Sequence, residues 1–252
     1  MTLAMLAAVS GSAGVRAQAR RALTVAAASD LQAALPEVIK RFERDANATV
    51  TVSFGSSGNF FAQIQNGAPY DVYVSADIDY PKRLIASGRA DASSLYQYAT
   101  GRLVLWTRKD SGIDVSVGLR GLSDPRVKRI AIANPKFAPY GRAAEAALRY
   151  EKIYDAVRDK LVLGDNISQT AQLVDSGNAS VGLIALSLAV GPALRARGTY
   201  SEIPAAAHPP IDQAAVIVSA SMRQPLAREF LAYLKRPDIS QHLHRFGFAA
   251  SR

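Results

Sequence analysis

Short apolar runs that hand over to helix-spaced residues recur along this chain, and a small polar residue or glycine marks most of the hand-overs. Residues 23–28 form such a run, which stops at Ser29-Asp30, two good N-cap types. Leu31, Ala34, Leu35, Val38, Ile39 and Phe42 then follow at helical spacing. Pro36 lies inside that pattern, so the helix must begin close before it, where a missing N–H leaves nothing unpaired. Residues 49–54 alternate like a strand, Gly55-Ser56-Ser57-Gly58 turns the chain, and residues 59–66 read as a short helix. A strand is expected at 71–75, with a helix beginning at Ala76-Asp77. Further strands are expected at 103–106, 130–133, 181–186 and 216–218, and helices near 142–151, 169–176, 225–234 and 237–246. Strands that alternate with helices imply crossover connections and a parallel sheet, hence an α/β fold.

A chain of 252 residues can hold one large α/β domain or two ordinary ones. No Pro/Gly/Ser-rich linker interrupts it, so two lobes would be joined by segments crossing between them. The strand near Leu103 and residues 208–215 are the candidates. Residues 1–19 differ from the rest: 3–15 carry no charge, and Ala17-Gln18-Ala19 fits the small-x-small rule of signal peptidase. They read as a signal peptide whose basic start lies upstream, since no Lys or Arg precedes Arg16.

Several classes of chemistry are disfavoured. There is no cysteine, so disulfides, thiolate metal sites and cysteine nucleophiles are ruled out. The formal net charge is +9, but the cations are scattered, and the densest cluster, Pro125 to Arg129, lies between a turn and a strand. A solvated basic face is expected, and no nucleic acid partner. Gly55-Ser56-Ser57-Gly58 is not a G-x-S-x-G elbow, and the only histidines, His208, His242 and His244, lie far from it. No HExxH, GxxxxGK[ST] or GxGxxG occurs, so no enzyme is expected. An effector domain of a transcription regulator would need a helix-turn-helix, for which the leader leaves no room.

Four junctions stand at the starts of expected helices: Ser29, Ser56-Ser57, Tyr140-Gly141 and Asn166-Ile167-Ser168. A helix N-terminus offers unpaired N–H groups and about half a positive charge, which suits an anion. Each junction alone is most simply a cap.

Ala26-Ala27-Ala28-Ser29, Phe54-Gly55-Ser56-Ser57-Gly58 and the stretch from Gly67-Ala68-Pro69 through Asp71-Val72 to Ser75-Ala76-Asp77 occur in a fixed order. So do Asn134-Pro135, Pro139-Tyr140-Gly141, Gly182-Leu183-Ile184 and Arg245-Phe246-Gly247-Phe248. In this the chain resembles the periplasmic molybdate-binding proteins of ABC importers over almost its whole length past the leader. The resemblance implies a type II periplasmic-binding fold, two α/β lobes with a ligand cleft between them. Lobe 1 would be 20–101 and 214–252, lobe 2 would be 102–213, and 1–19 the signal peptide. It further implies a monomeric periplasmic protein that captures molybdate or tungstate, uses no cofactor, and docks on a membrane permease. The metal would be bound as its oxyanion, without direct side-chain coordination.

By position, the resemblance assigns a hydroxyl and an N–H each to Ser29 and Ser57, and backbone N–H groups to Tyr140 and Ile167. Many members carry a tyrosine at the place of Ala185, and here the Tyr140 hydroxyl is expected to replace it. Asp30 is expected to turn away and cap its own helix, because a carboxylate would repel a dianion. A cage of donors favours molybdate or sulfate, unprotonated at neutral pH, over phosphate, whose proton needs an acceptor. The same fold tuned to sulfate, thiosulfate or another tetrahedral oxyanion is the alternative.

Overall fold

The computed structural model describes residues 21–251, so the expected signal peptide lies outside the described residues. The strands are β1 (Arg21–Ala28), β2 (Ala48–Gly55), β3 (Val72–Ser75), β4 (Tyr96–Gly101) and β5 (Leu103–Arg108). They continue with β6 (Ile130–Ala133), β7 (Leu161–Gly164), β8 (Val181–Ala185), β9 (Gly198–Glu202) and β10 (Ile211–Ile217). The helices are α1 (Leu35–Ala46), α2 (Ser57–Gln65), α3 (Asp79–Ala86), α4 (Pro139–Tyr150) and α5 (Tyr154–Val157). After these come α6 (Ile167–Asp175), α7 (Leu186–Ala189), α8 (Gln224–Leu234) and α9 (Pro237–Arg245).

Two five-stranded sheets result, ordered β2-β1-β3-β10-β4 and β7-β6-β8-β5-β9. The apolar runs read from the sequence are the inner strands, buried on both faces: Val25 to Ala27, Val72 to Val74 and Leu103 to Trp106 are almost fully enclosed. Helices cover both faces of the first sheet. On one side Phe42 of α1 meets Phe230 of α8 edge-on, ring centroids 5.0 Å apart. On the other, Phe60 of α2, Tyr73 and Tyr80 of α3 form a second core. The second sheet has its own core, in which Trp106 is wholly buried.

The sheets are mixed and not purely parallel as the alternation implied. β10 runs antiparallel to β3 and β4, and β5 antiparallel to β8 and β9. The reason lies in the two crossings. Arg102 alone links β4 to β5, and residues 203–210 link β9 to β10. The chain leaves the first sheet at the end of β4 and re-enters it at the start of β10, and it enters the second at β5 and leaves it at the end of β9, so each of these pairs runs antiparallel. The expected boundary after 213 falls within β10, whose ladder with β4 starts at Ile211 opposite Gly101.

Pro36 occupies the first turn of α1, as its position required, and a separate 3-10 turn, Ser29–Ala33, precedes that helix. The hand-overs therefore put helix or turn starts at the same ends of β1, β2, β6 and β7, and the two sheets face each other across those ends.

Candidate functional site

Between the sheets lies a small cavity walled by the beginnings of α2, α4, α6 and the Ser29 turn. The first N–H groups of a helix have no intrahelical acceptor, so four such starts aim unpaired donors and positive dipole ends at one point. No Lys, Arg or His contributes to the wall. Among the described residues, no cluster of His, Cys, Asp and Glu could hold a bare metal ion.

Each start is organised so that particular donors stay free. In α2, Ser56 is the N-cap and its Oγ accepts from the Asn59 N–H at 3.3 Å. The Ser57 hydroxyl accepts from the Ala76 N–H at 3.0 Å, which leaves its own proton to give. In α6, Asn166 caps the helix by accepting from the Gln169 N–H at 3.0 Å. Pro139 opens α4, where it has no N–H to leave unpaired. The N–H groups of Ser57, Tyr140 and Ile167 donate to no protein acceptor among the described residues.

The four residues expected from sequence, Ser29, Ser57, Tyr140 and Ile167, all line this one cavity, and all are buried. Ser29 also bridges the sheets: its hydroxyl donates to Asn166 Oδ1 at 3.1 Å and accepts from the Ser168 N–H at 3.3 Å.

Two expectations are corrected. The Tyr140 hydroxyl does not replace the tyrosine absent at Ala185. It donates to Asp30 Oδ2 at 3.0 Å and accepts from Gln213 Nε2 at 3.2 Å. Its ring reaches past the cavity to the crossing segments, so close to Gly101 that a Cβ there would collide with the hydroxyl. Nor does Asp30 serve its own turn alone. Its carboxylate is fully buried and accepts from Gln213 Nε2 at 2.6 Å as well as from Tyr140. Burial pushes the Asp30 carboxyl up to about 6, and the bonds from Gln213, from Tyr140 and from the N–H groups of Asp30 and Leu31 in its own turn pull the other way without overcoming it.

Sequence reading missed Gln213. It sits at a register irregularity of β10, is fully buried, and accepts from the Tyr98 hydroxyl at 2.6 Å. The available signal was an amide at the head of the apolar run Ala214 to Ile217. Other bonds complete the clasp. Gly58 N–H donates to Phe137 O at 2.8 Å, the Ser187 hydroxyl to Asp30 O at 2.7 Å, and Arg142 pairs with Asp77.

Comparison with known proteins agrees with this geometry. Residues 23–249 match the family model described as "Bacterial extracellular solute-binding protein". The molybdate-binding protein ModA of Azotobacter vinelandii is 37% identical over 94% of this chain and 94% of its own. That of Rhodobacter capsulatus is 35% identical over 84% of this chain and 82% of its own. The solved periplasmic molybdate-binding protein of Azotobacter vinelandii superposes with a TM-score of 0.86 at 32% identity, covering 91% of this chain and 100% of that one. The fold is that of the periplasmic binding proteins, and these relatives bind solutes and are not enzymes. The chain belongs to the bacterial extracellular solute-binding protein family and, within it, groups with the molybdate-binding ModA proteins.

Proposed function

We propose that this protein captures molybdate or tungstate in the periplasm and hands it, as a monomer, to the membrane permease of an ABC importer. One observation carries this reading: four helix and turn starts from both sheets converge on a cavity with no cation in its wall. Such a site suits a small anion that keeps no proton, because donors outnumber acceptors there. Relatives named as molybdate-binding proteins support molybdate as that anion.

Ser29 and Ser57 each give the anion a hydroxyl and an N–H, and Tyr140 and Ile167 each give an N–H. When the Ser29 hydroxyl turns to the ligand, Asn166 Oδ1 keeps the Gln169 N–H as its donor, so no buried acceptor is orphaned. Each bond to a charged group contributes about 1.5–3 kcal/mol, enough for six donors to hold a dianion without a counter-ion. The lobes divide at Arg102 and in the segment 203–210, and they close because four of the donors lie on one side and two on the other. Isothermal calorimetry with molybdate, tungstate, sulfate and phosphate tests the reading. Tight binding of the first two is expected, and a folded sample that ignores both contradicts it.

A further inference from the structure

A carboxylate in the wall of a cavity that receives a dianion opposes capture unless something neutralises it. Asp30 is that carboxylate, fully buried and part of the cavity wall. The groups packed around it from each element are Ser29 on its own turn, Tyr140 of α4, Gln213 of β10, Tyr98 of β4 behind Gln213, and Ser187 of α7 on its carbonyl. None is cationic. Tyr140 and Tyr98 are held well above the ordinary tyrosine range, first by burial and then by the nearby Asp30 charge, so both stay neutral. Among the described residues, no counter-ion offsets the carboxylate.

Its two oxygens differ. Oδ2 accepts from both Tyr140 and Gln213, whereas Oδ1 is buried with no well-aligned hydrogen-bond partner among the described residues, the N–H groups of Asp30 and Leu31 beside the carboxylate only weakening its burial cost. A buried acceptor without a donor is costly, and more so when charged. A proton on Oδ1 removes that cost, cancels the charge, and turns an acceptor into another donor. We propose that Asp30 takes up one proton from bulk water as the anion enters, so that closure of the lobes on a dianion is proton-coupled. This rests on the anion-capture reading above.

The direction follows from linkage. With the cavity empty, burial already holds the carboxyl up at about 6. A dianion in the same cavity adds like charge and pushes it higher. The loaded state then binds more protons than the empty one. Affinity is therefore at its full value below about pH 6 and falls as pH rises towards the loaded-state value, by up to about tenfold per pH unit.

Calorimetry of the wild-type protein with molybdate, between about pH 6 and 8.5 and in buffers of different ionisation enthalpy, reads this directly. The observed enthalpy should vary with the buffer, with a slope approaching one proton taken up per anion near pH 7. Asp30→Asn should lose that slope and bind molybdate more tightly than wild type at about pH 8. Wild-type binding whose enthalpy and affinity ignore buffer and pH overturns the proton coupling and leaves molybdate capture standing. Preference for hydrogen phosphate without proton uptake overturns both, since the ligand itself would then protonate the carboxylate. If Asp30→Asn does not fold, the wild-type buffer series decides alone.

Discussion

The Tyr140 hydroxyl, carried by the first turn of α4 over the second sheet, donates to Asp30 Oδ2, on the turn that follows β1 of the first, at 3.0 Å. Gln213 on β10 binds both partners, and Tyr98 on β4 binds Gln213. The floor of the cavity and the strands that cross between the lobes thus share one hydrogen-bonded chain, with the anion donors on one side and the hinge on the other.

Tyr140→Phe keeps the backbone N–H and removes only the hydroxyl. Asp30 then has one side-chain hydrogen-bond partner in place of two, and the closed arrangement loses a buried hydrogen bond of about 0.5–1.5 kcal/mol. Molybdate affinity should drop about two- to tenfold by calorimetry. Unchanged affinity would show that the Tyr140–Asp30 bond does not hold the lobes together.

The adjacent serines should separate cleanly. Ser56 is the N-cap of α2, so Ser56→Ala should lower stability to denaturant by about 1 kcal/mol and leave most of the affinity. Ser57 holds the free hydroxyl proton, so Ser57→Ala should cost about 1.5–3 kcal/mol of binding, roughly ten- to a hundredfold. The two effects found in the reverse order would exchange the roles assigned here.

Gly58 stands in the first turn of α2, where alanine suits the helix. A Cβ there would lie 2.7 Å from Phe137 O on the opposite lobe, and as close to the Tyr80 hydroxyl on its own. Gly58→Ala should therefore displace the Tyr80 ring and resist closure. Its affinity should fall by about tenfold or more, and X-ray scattering should show no contraction on adding molybdate. Full contraction would mean that the lobes close by another approach.

Asp30 also makes stability depend on pH. Its carboxyl rises from 3.8 to about 6 on folding through burial, so its favourable contribution is complete below 3.8 and is lost as pH rises through about 6. For this fully buried group the loss is about 3 kcal/mol. The stability of Asp30→Asn relative to wild type should therefore rise by about that amount between about pH 3.5 and pH 8, by urea unfolding without anion. A constant difference would contradict the shift.

Much of this was legible in the sequence because the site is made of helix starts, and helix starts announce themselves through small polar residues and prolines. The four junctions were marked that way, and the resemblance picked Ser29, Ser57, Tyr140 and Ile167 among them as the proposed donors. Of the four edge strands only β2 was legible, through its alternation. β4 and β9 close the two sheets, and residues such as Thr199 and Tyr200 face solvent, so no continuous apolar run marks them. Strand direction was hidden too, since an apolar run is the same whether its neighbour is parallel or not. The Asp30–Tyr140–Gln213 chain joins residues 110 and 183 positions apart, and no local pattern encodes such a meeting.

A crystal structure of the molybdate complex, with the metal located by its anomalous signal, tests the central claim most directly. A single strong peak is expected between Ser29, Ser57, Tyr140 and Ile167, with its oxygens within hydrogen-bond distance of their N–H groups and of the two serine hydroxyls. A peak elsewhere, or a saturated crystal whose cavity stays without metal, would contradict the account.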